Sequence, residues 1–146
     1  RCDCSAEKIA RYQSKISGPI LDRIDLHIPV TNIDNKQLFQ TPEQQQGESN
    51  QKISRRVNHA RSIQIKRQGL INARLDNQQL KKVCPLNQIQ QDFLDHAINS
   101  YALSTRSFHR LLKVARSIAD LAELELPDIP QYQEALSYRN QFNAQK

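Results

Sequence analysis

The stretch from Ser104 to Leu121 constrains this chain more than any other, because Phe108, Leu111, Leu112, Ala115, Ile118 and Ala119 recur at helical spacing behind a serine cap. A stripe that complete is the buried face of an amphipathic helix and needs other apolar faces to cover it. The flanking sequence supplies them. A long helix is expected from Ser49 or Asn50 to about Gln68, stopped by Gly69, with Ile53, Val57, Ala60 and Gln64 on one face. A second spans about 73–83 and ends before Pro85. A third, about 87–100, buries Ile89, Phe93, Leu94, Ala97 and Ile98. A last one runs over 129–143, after Pro127 and around Pro130. The expected fold is mainly α, a helical bundle from residue 51 onward.

Ahead of that bundle lies a short helix-strand segment. Ser5 caps a helix carrying Ile9, Tyr12 and Ile16, which Ser17-Gly18-Pro19 breaks. Ile24, Leu26, Ile28 and Val30 then alternate with other residues as in a half-buried strand. A lone strand has no sheet to join, so residues 1–30 are expected to be disordered or paired with a second copy. Residues 31–50, with Pro42, Gly47 and three consecutive glutamines, read as a polar linker. No apolar run approaches the roughly 18–20 residues that span a bilayer, and no signal-peptide pattern is present. A cytoplasmic setting with no membrane partner is expected. The sequence contains no methionine and opens Arg1-Cys2-Asp3-Cys4, so it is expected to be cut from a larger protein.

The net charge of +6 is unevenly spread. Residues 1–50 hold 6 Lys/Arg against 7 Asp/Glu, residues 51–116 hold 13 against 3, and residues 117–146 hold 2 against 5. The whole excess therefore lies in the middle. A basic block of this kind attracts phosphate in nucleic acid or nucleotide, or forms a solvated helix face.

Markers of a self-contained enzyme are missing: the sequence has no GxxxxGK[ST], no GxGxxG and no HExxH. Alone, the chain is not expected to catalyse a reaction. His27, His59, His96 and His109 are scattered and read as packing or surface residues. Cys84 reads as a buried thiol. Cys2 and Cys4 offer half of a four-ligand zinc site, or a terminal pair with no metal. Two segments carry more. Arg23 sits between Asp22 and Asp25, where the carboxylates would orient its guanidinium or form a local ion pair. Arg106 falls in the first turn of a helix, where the macrodipole disfavours a cation, so it either meets an anion such as phosphate or points to water.

Four spaced blocks carry a family resemblance. They are Ser17-Gly-Pro-Ile-Leu-Asp-Arg-Ile-Asp-Leu26, Val57–Arg67 followed by Asn72–Leu75, Leu103–Leu121, and Glu134–Arg139. In this order they resemble the magnesium-chelatase-like AAA+ ATPases of the ComM/YifB group, over nearly the whole chain. Ser117 stands where that pattern has threonine. The resemblance implies that residues 1–30 are the edge of an ATPase core and 51–146 a helical lid domain of the AAA+ type. It implies that Arg23 is an arginine finger reaching a neighbouring subunit's ATP site. It also implies that Arg106 is the sensor-2 arginine touching the γ-phosphate within its own subunit. Cys2 and Cys4 would be the second half of a zinc-binding cysteine set.

The implied cofactors are ATP and Mg2+ in the full-length protein, with Zn2+ at the cysteines. The implied partners are the chain's own ATPase core, neighbouring subunits of a homohexamer, and DNA. Contacts to DNA would fall on Lys52, Arg55, Arg56, Lys66 and Arg67 of the basic block. The implied function is the lid and arginine-finger portion of an ATP-dependent branch-migration or helicase motor acting in natural transformation and recombination, inert by itself. Two other readings stay open. One is a helix-turn-helix DNA-binding module over 88–116, whose recognition helix opens Ser104-Thr105-Arg106-Ser107. The other is an ATPase subunit of a metal chelatase.

Overall fold

A computed structural model describes residues 3–30 and 47–139. It is mainly helical: α1 (Ala6–Gln13), α2 (Gly18–Leu21), α3 (Asn50–Gln68), a 3-10 turn (Asn72–Arg74), α4 (Asn77–Val83), α5 (Gln88–Tyr101), α6 (Thr105–Leu121) and α7 (Ile129–Ser137). Cys2 and most of the polar linker, residues 31–46, lie outside the described residues.

The amphipathic stretch is the central helix α6, which packs against α3, the 3-10 turn, α4 and α7. Leu111 and Ala115 are wholly buried, with Leu112 and Ala119 beside them, while Phe108 and Ile118 are half-buried at the edge. Tyr132, Ala135 and Leu136 of α7 and Leu80 of α4 close the core. Helix ends follow the local chemistry. Ser49, Asp76, Asn87 and Ser104 accept hydrogen bonds from backbone N–H groups at the start of α3, α4, α5 and α6. Gly69 ends α3 at φ 74°, a conformation that costs glycine little.

Several boundaries and faces differ from the sequence expectation. Helix 73–83 is split, because Asp76 and Gln79 form a reciprocal capping box that starts α4 afresh after buried Leu75. On α5, Ile89 is exposed and Gln90 turns inward. Its side chain accepts from Asn87 N–H and donates to the Asp128 carboxylate at 3.0 Å. On α3 only Ala60 and Gln64 are buried, while Ile53 and Val57 lie on the surface. Helix α7 stops at Ser137, and the Tyr138 carbonyl accepts from His27 N–H at 2.7 Å. The rest of the expected last helix, residues 140–143, lies outside the described residues.

The expected strand is absent: among the described residues there is no strand, and 24–30 form no regular element, with Asp25 and His27 bonded to the bundle. Ile9 and Tyr12 of α1 remain exposed.

Beneath α6 lies a buried polar network. Asp120 is wholly buried and accepts four hydrogen bonds: from Arg67 Nη1 and Nη2, from Arg116 Nη2 at 2.7 Å, and from Asn72 Nδ2 at 2.8 Å. Arg116, 1% exposed, also donates from Nη1 to the Glu125 carbonyl at 2.7 Å. Asn72 N–H donates to Gln64 Oε1, and Asn72 Nδ2 donates to Ser117 Oγ. Charges held this way are stable only while their partners remain. Asp120→Ala is therefore expected to lower unfolding free energy by about 3–5 kcal/mol, read by urea denaturation. The Tyr132 hydroxyl is buried without a hydrogen-bond partner, so Tyr132→Phe is expected to leave stability unchanged or raise it by about 1 kcal/mol.

Candidate functional site

The two arginines singled out by sequence lie on segments that the fold brings together. Ser104 and Ser107, in and just before the first turn of α6, donate from Oγ to Asp22 Oδ2 at 2.9 Å and Oδ1 at 2.7 Å. One turn further, Arg110 Nη1 donates to the Arg23 carbonyl at 2.7 Å and pairs with the Asp25 carboxylate. Residues 104, 107 and 110 share one face of α6 at a spacing of three. Asp22 and Asp25 thus reach across to α6, where the sequence reading had them orient the guanidinium between them. Arg23 itself projects from this anchored loop and is exposed. Arg106, the second residue of α6, is exposed as well.

Behind the loop, buried Arg139 donates from Nη2 to Ser107 Oγ at 3.0 Å. The Ser107 hydrogen bond holds the Asp22 carboxyl below its ordinary value against partial desolvation. The Ser104 hydroxyl and the charges of Arg139 and Arg106 assist it. Burial pulls the Arg139 guanidinium down, and Asp22 and Asp25 pull it back up. The residues that sequence reasoning missed are therefore Ser107, Arg110 and Arg139. The only signal for Ser107 and Arg110 is their spacing of three from the Ser104 cap, and no such spacing marks Arg139.

The basic block divides on inspection. Lys52, Arg55 and Lys66 are exposed on α3, and exposed Arg56 pairs bidentately with Glu48 at 3.0 Å. Arg67 is corrected: its guanidinium is turned inward onto Asp120 and Asn72, so it is not available to a nucleic-acid phosphate. Cys4 is exposed and Cys2 lies outside the described residues. Among the described residues no three His, Cys, Asp or Glu side chains gather as a metal requires, so these residues alone do not fit a zinc centre. Cys84 is buried and its thiol is pushed up to about 11 by desolvation, which makes it a packing residue and a poor nucleophile. No helix among the described residues is long and apolar enough to cross a membrane.

For nucleotide, the anchored loop and the start of α6 offer the exposed guanidinium groups of Arg23 and Arg106, and the sequence has no phosphate loop, an arrangement that can complete a site but not form one. The start of α6 is already engaged by Asp22 and Asp25, whose charges oppose insertion of this helix into a DNA groove. That disfavours a recognition-helix role.

The docking of residues 22–27 should respond to acid. A depressed native value contributes stability above the ordinary carboxylate value of 3.8, lost as pH falls through the native value. The amide resonances of Ser107 and His27 are expected to titrate with a midpoint below 3.8, and Asp22→Asn should remove that step. A midpoint at or above the ordinary value would contradict the Asp22–Ser107 contact.

The family pattern "Magnesium chelatase, subunit ChlI C-terminal" matches residues 47–139, and "Magnesium chelatase, subunit ChlI" matches residues 1–38. The chain is 40% identical over 92% of its length to competence protein ComM of Haemophilus influenzae. It is 38% identical over 93% of its length to YifB of Escherichia coli, and 33% identical over 94% to protein Mb2921c of Mycobacterium bovis. It spans about a quarter of the length of these curated relatives, 26%, 26% and 27% respectively.

Proposed function

This chain belongs to the magnesium chelatase subunit ChlI family, and on that premise we propose that it is the lid and arginine-finger portion of a hexameric, ATP-dependent DNA-remodelling motor. Arg23 acts as the arginine finger in a neighbouring subunit's ATP site, and Arg106 contacts the γ-phosphate in its own subunit. The observation that carries this reading is the anchored loop. Its flanking carboxylates and its backbone are fastened to α6, and the one guanidinium within it is left exposed beside a second exposed arginine at the helix start.

The chemistry suits both residues. Phosphoryl transfer spreads negative charge over the γ-phosphate oxygens, and a guanidinium meets that charge without losing a proton. Dividing the site between subunits makes hydrolysis depend on assembly, so this chain is inert alone. Mg2+ would be held with ATP on the core, and zinc by Cys2 and Cys4 with cysteines outside this chain. The competence name of the Haemophilus relative supports action on DNA during uptake and recombination. Lys52, Arg55, Arg56 and Lys66 would meet its backbone without reading sequence.

The test is ATP hydrolysis by the full-length protein. Arg23→Ala and Arg106→Ala are each expected to lower kcat, Arg23→Ala by about 10³-fold, the scale of fingers supplied in trans. Mixing separates the roles. Subunits with a disabled phosphate loop should rescue Arg23→Ala, because they lend a finger, and should not rescue Arg106→Ala. Undiminished hydrolysis in both variants would sink the proposal. The chelatase reading is favoured by the family description itself; stimulation of hydrolysis by branched DNA would decide for the motor.

A further inference from the structure

We propose that Asp22 and Asp25 are positioning residues that fasten the Arg23 loop to α6, so that Arg23 and Arg106 move as one rigid body. The inference rests on the roles proposed above for those two arginines.

Four anchors lie within six residues of the loop. Asp22 accepts from Ser104 and Ser107, the Arg23 carbonyl and the Asp25 carboxylate accept from Arg110, and His27 N–H donates to the Tyr138 carbonyl. The first three fall on one face of α6 within about 9 Å of helix. Ser107 is 1% exposed and is held from behind by Arg139, so the contact is partly dry and does not rest on an exposed ion pair alone. Arg106 lies within the same two turns. Any contact at Arg106 that turns α6 must therefore carry Arg23 with it. Contact with one subunit's γ-phosphate would reposition the finger offered to the next, which is a coupling between two sites through one discrete element.

A charge swap tests this. In the 146-residue chain, Asp25→Arg and Arg110→Asp are each expected to speed amide exchange over residues 22–28 at least tenfold. The double variant Asp25→Arg/Arg110→Asp should restore protection. In the full-length protein the single variants should lower kcat at least tenfold with little change in KM for ATP, and the double variant should recover most of it. The loss should also be rescued by mixing with phosphate-loop-disabled subunits, as for Arg23→Ala, which a general folding defect would not show. If a charge reversal disrupts folding, as read by circular dichroism, Arg110→Met provides the same readouts with less perturbation.

Faster exchange with full kcat would overturn the positioning role and leave the finger assignment standing. Arg23→Ala without effect would overturn the finger assignment and this inference with it. Unchanged exchange in the single variants would overturn the clamp.

Discussion

Asp120 is a carboxylate with no access to water, and such a group is tolerable only when every lone pair is met by a well-placed donor. Arg67 brings the end of α3 to it, Asn72 brings the 3-10 turn, and Arg116 comes from α6 itself. Apolar packing would tolerate some sliding of α3 along α6. Four directional hydrogen bonds to one buried carboxylate do not, so the register of these elements is set here. Arg116 extends the same constraint by donating to the Glu125 carbonyl, which fixes the path into buried Pro127 and the start of α7.

The placement of α7 then determines the N-terminal segment. Arg139 follows α7 and reaches back to Ser107, and the Tyr138 carbonyl takes the His27 N–H. Ser107 is consequently fixed on both sides before Asp22 meets it. A contact between residues 85 apart in sequence depends on a carboxylate that neither touches. This is how segment 24–30 finds a partner without a sheet: His27 uses a carbonyl at the end of a helix.

Features carried by local chemistry were legible in the sequence. The α6 stripe, the start of α3 at Ser49 or Asn50, the Ser104 cap and the Gly69 stop each arise from a few adjacent residues. Features set by what lies opposite were not. Periodicity shows which face of α3 is apolar but not that α6 reaches only its second half, which leaves Ile53 and Val57 exposed. It favours Ile89 over Gln90 because it cannot see Asp128 waiting across the bundle. Alternation at 24–30 marks an extended chain, and only the absence of a pairing edge among the described residues decides that it is not a strand. In the site, Arg23 and Arg106 stood out by sequence context, whereas the contacts tying their segments together span more than 80 residues.

The same distinction sorts the arginines of a chain with 21 Lys and Arg. Composition treats all arginines alike. Burial and bonding separate them: Arg67 and Arg116 belong to Asp120, Arg110 to Asp25 and the Arg23 carbonyl, and Arg139 to Ser107. Each of these is held by groups of its own chain and has a structural task. Arg23 and Arg106 sit among them, on the two segments those tasks hold together, yet extend into solvent. A cation beside a helix start gains nothing from the macrodipole, and Asp22, on which the Arg106 charge acts, already accepts from two serines. On the proposed reading Arg106 would meet its own subunit's triphosphate and Arg23 that of a neighbour, each from a segment already held in place by the rest of the bundle.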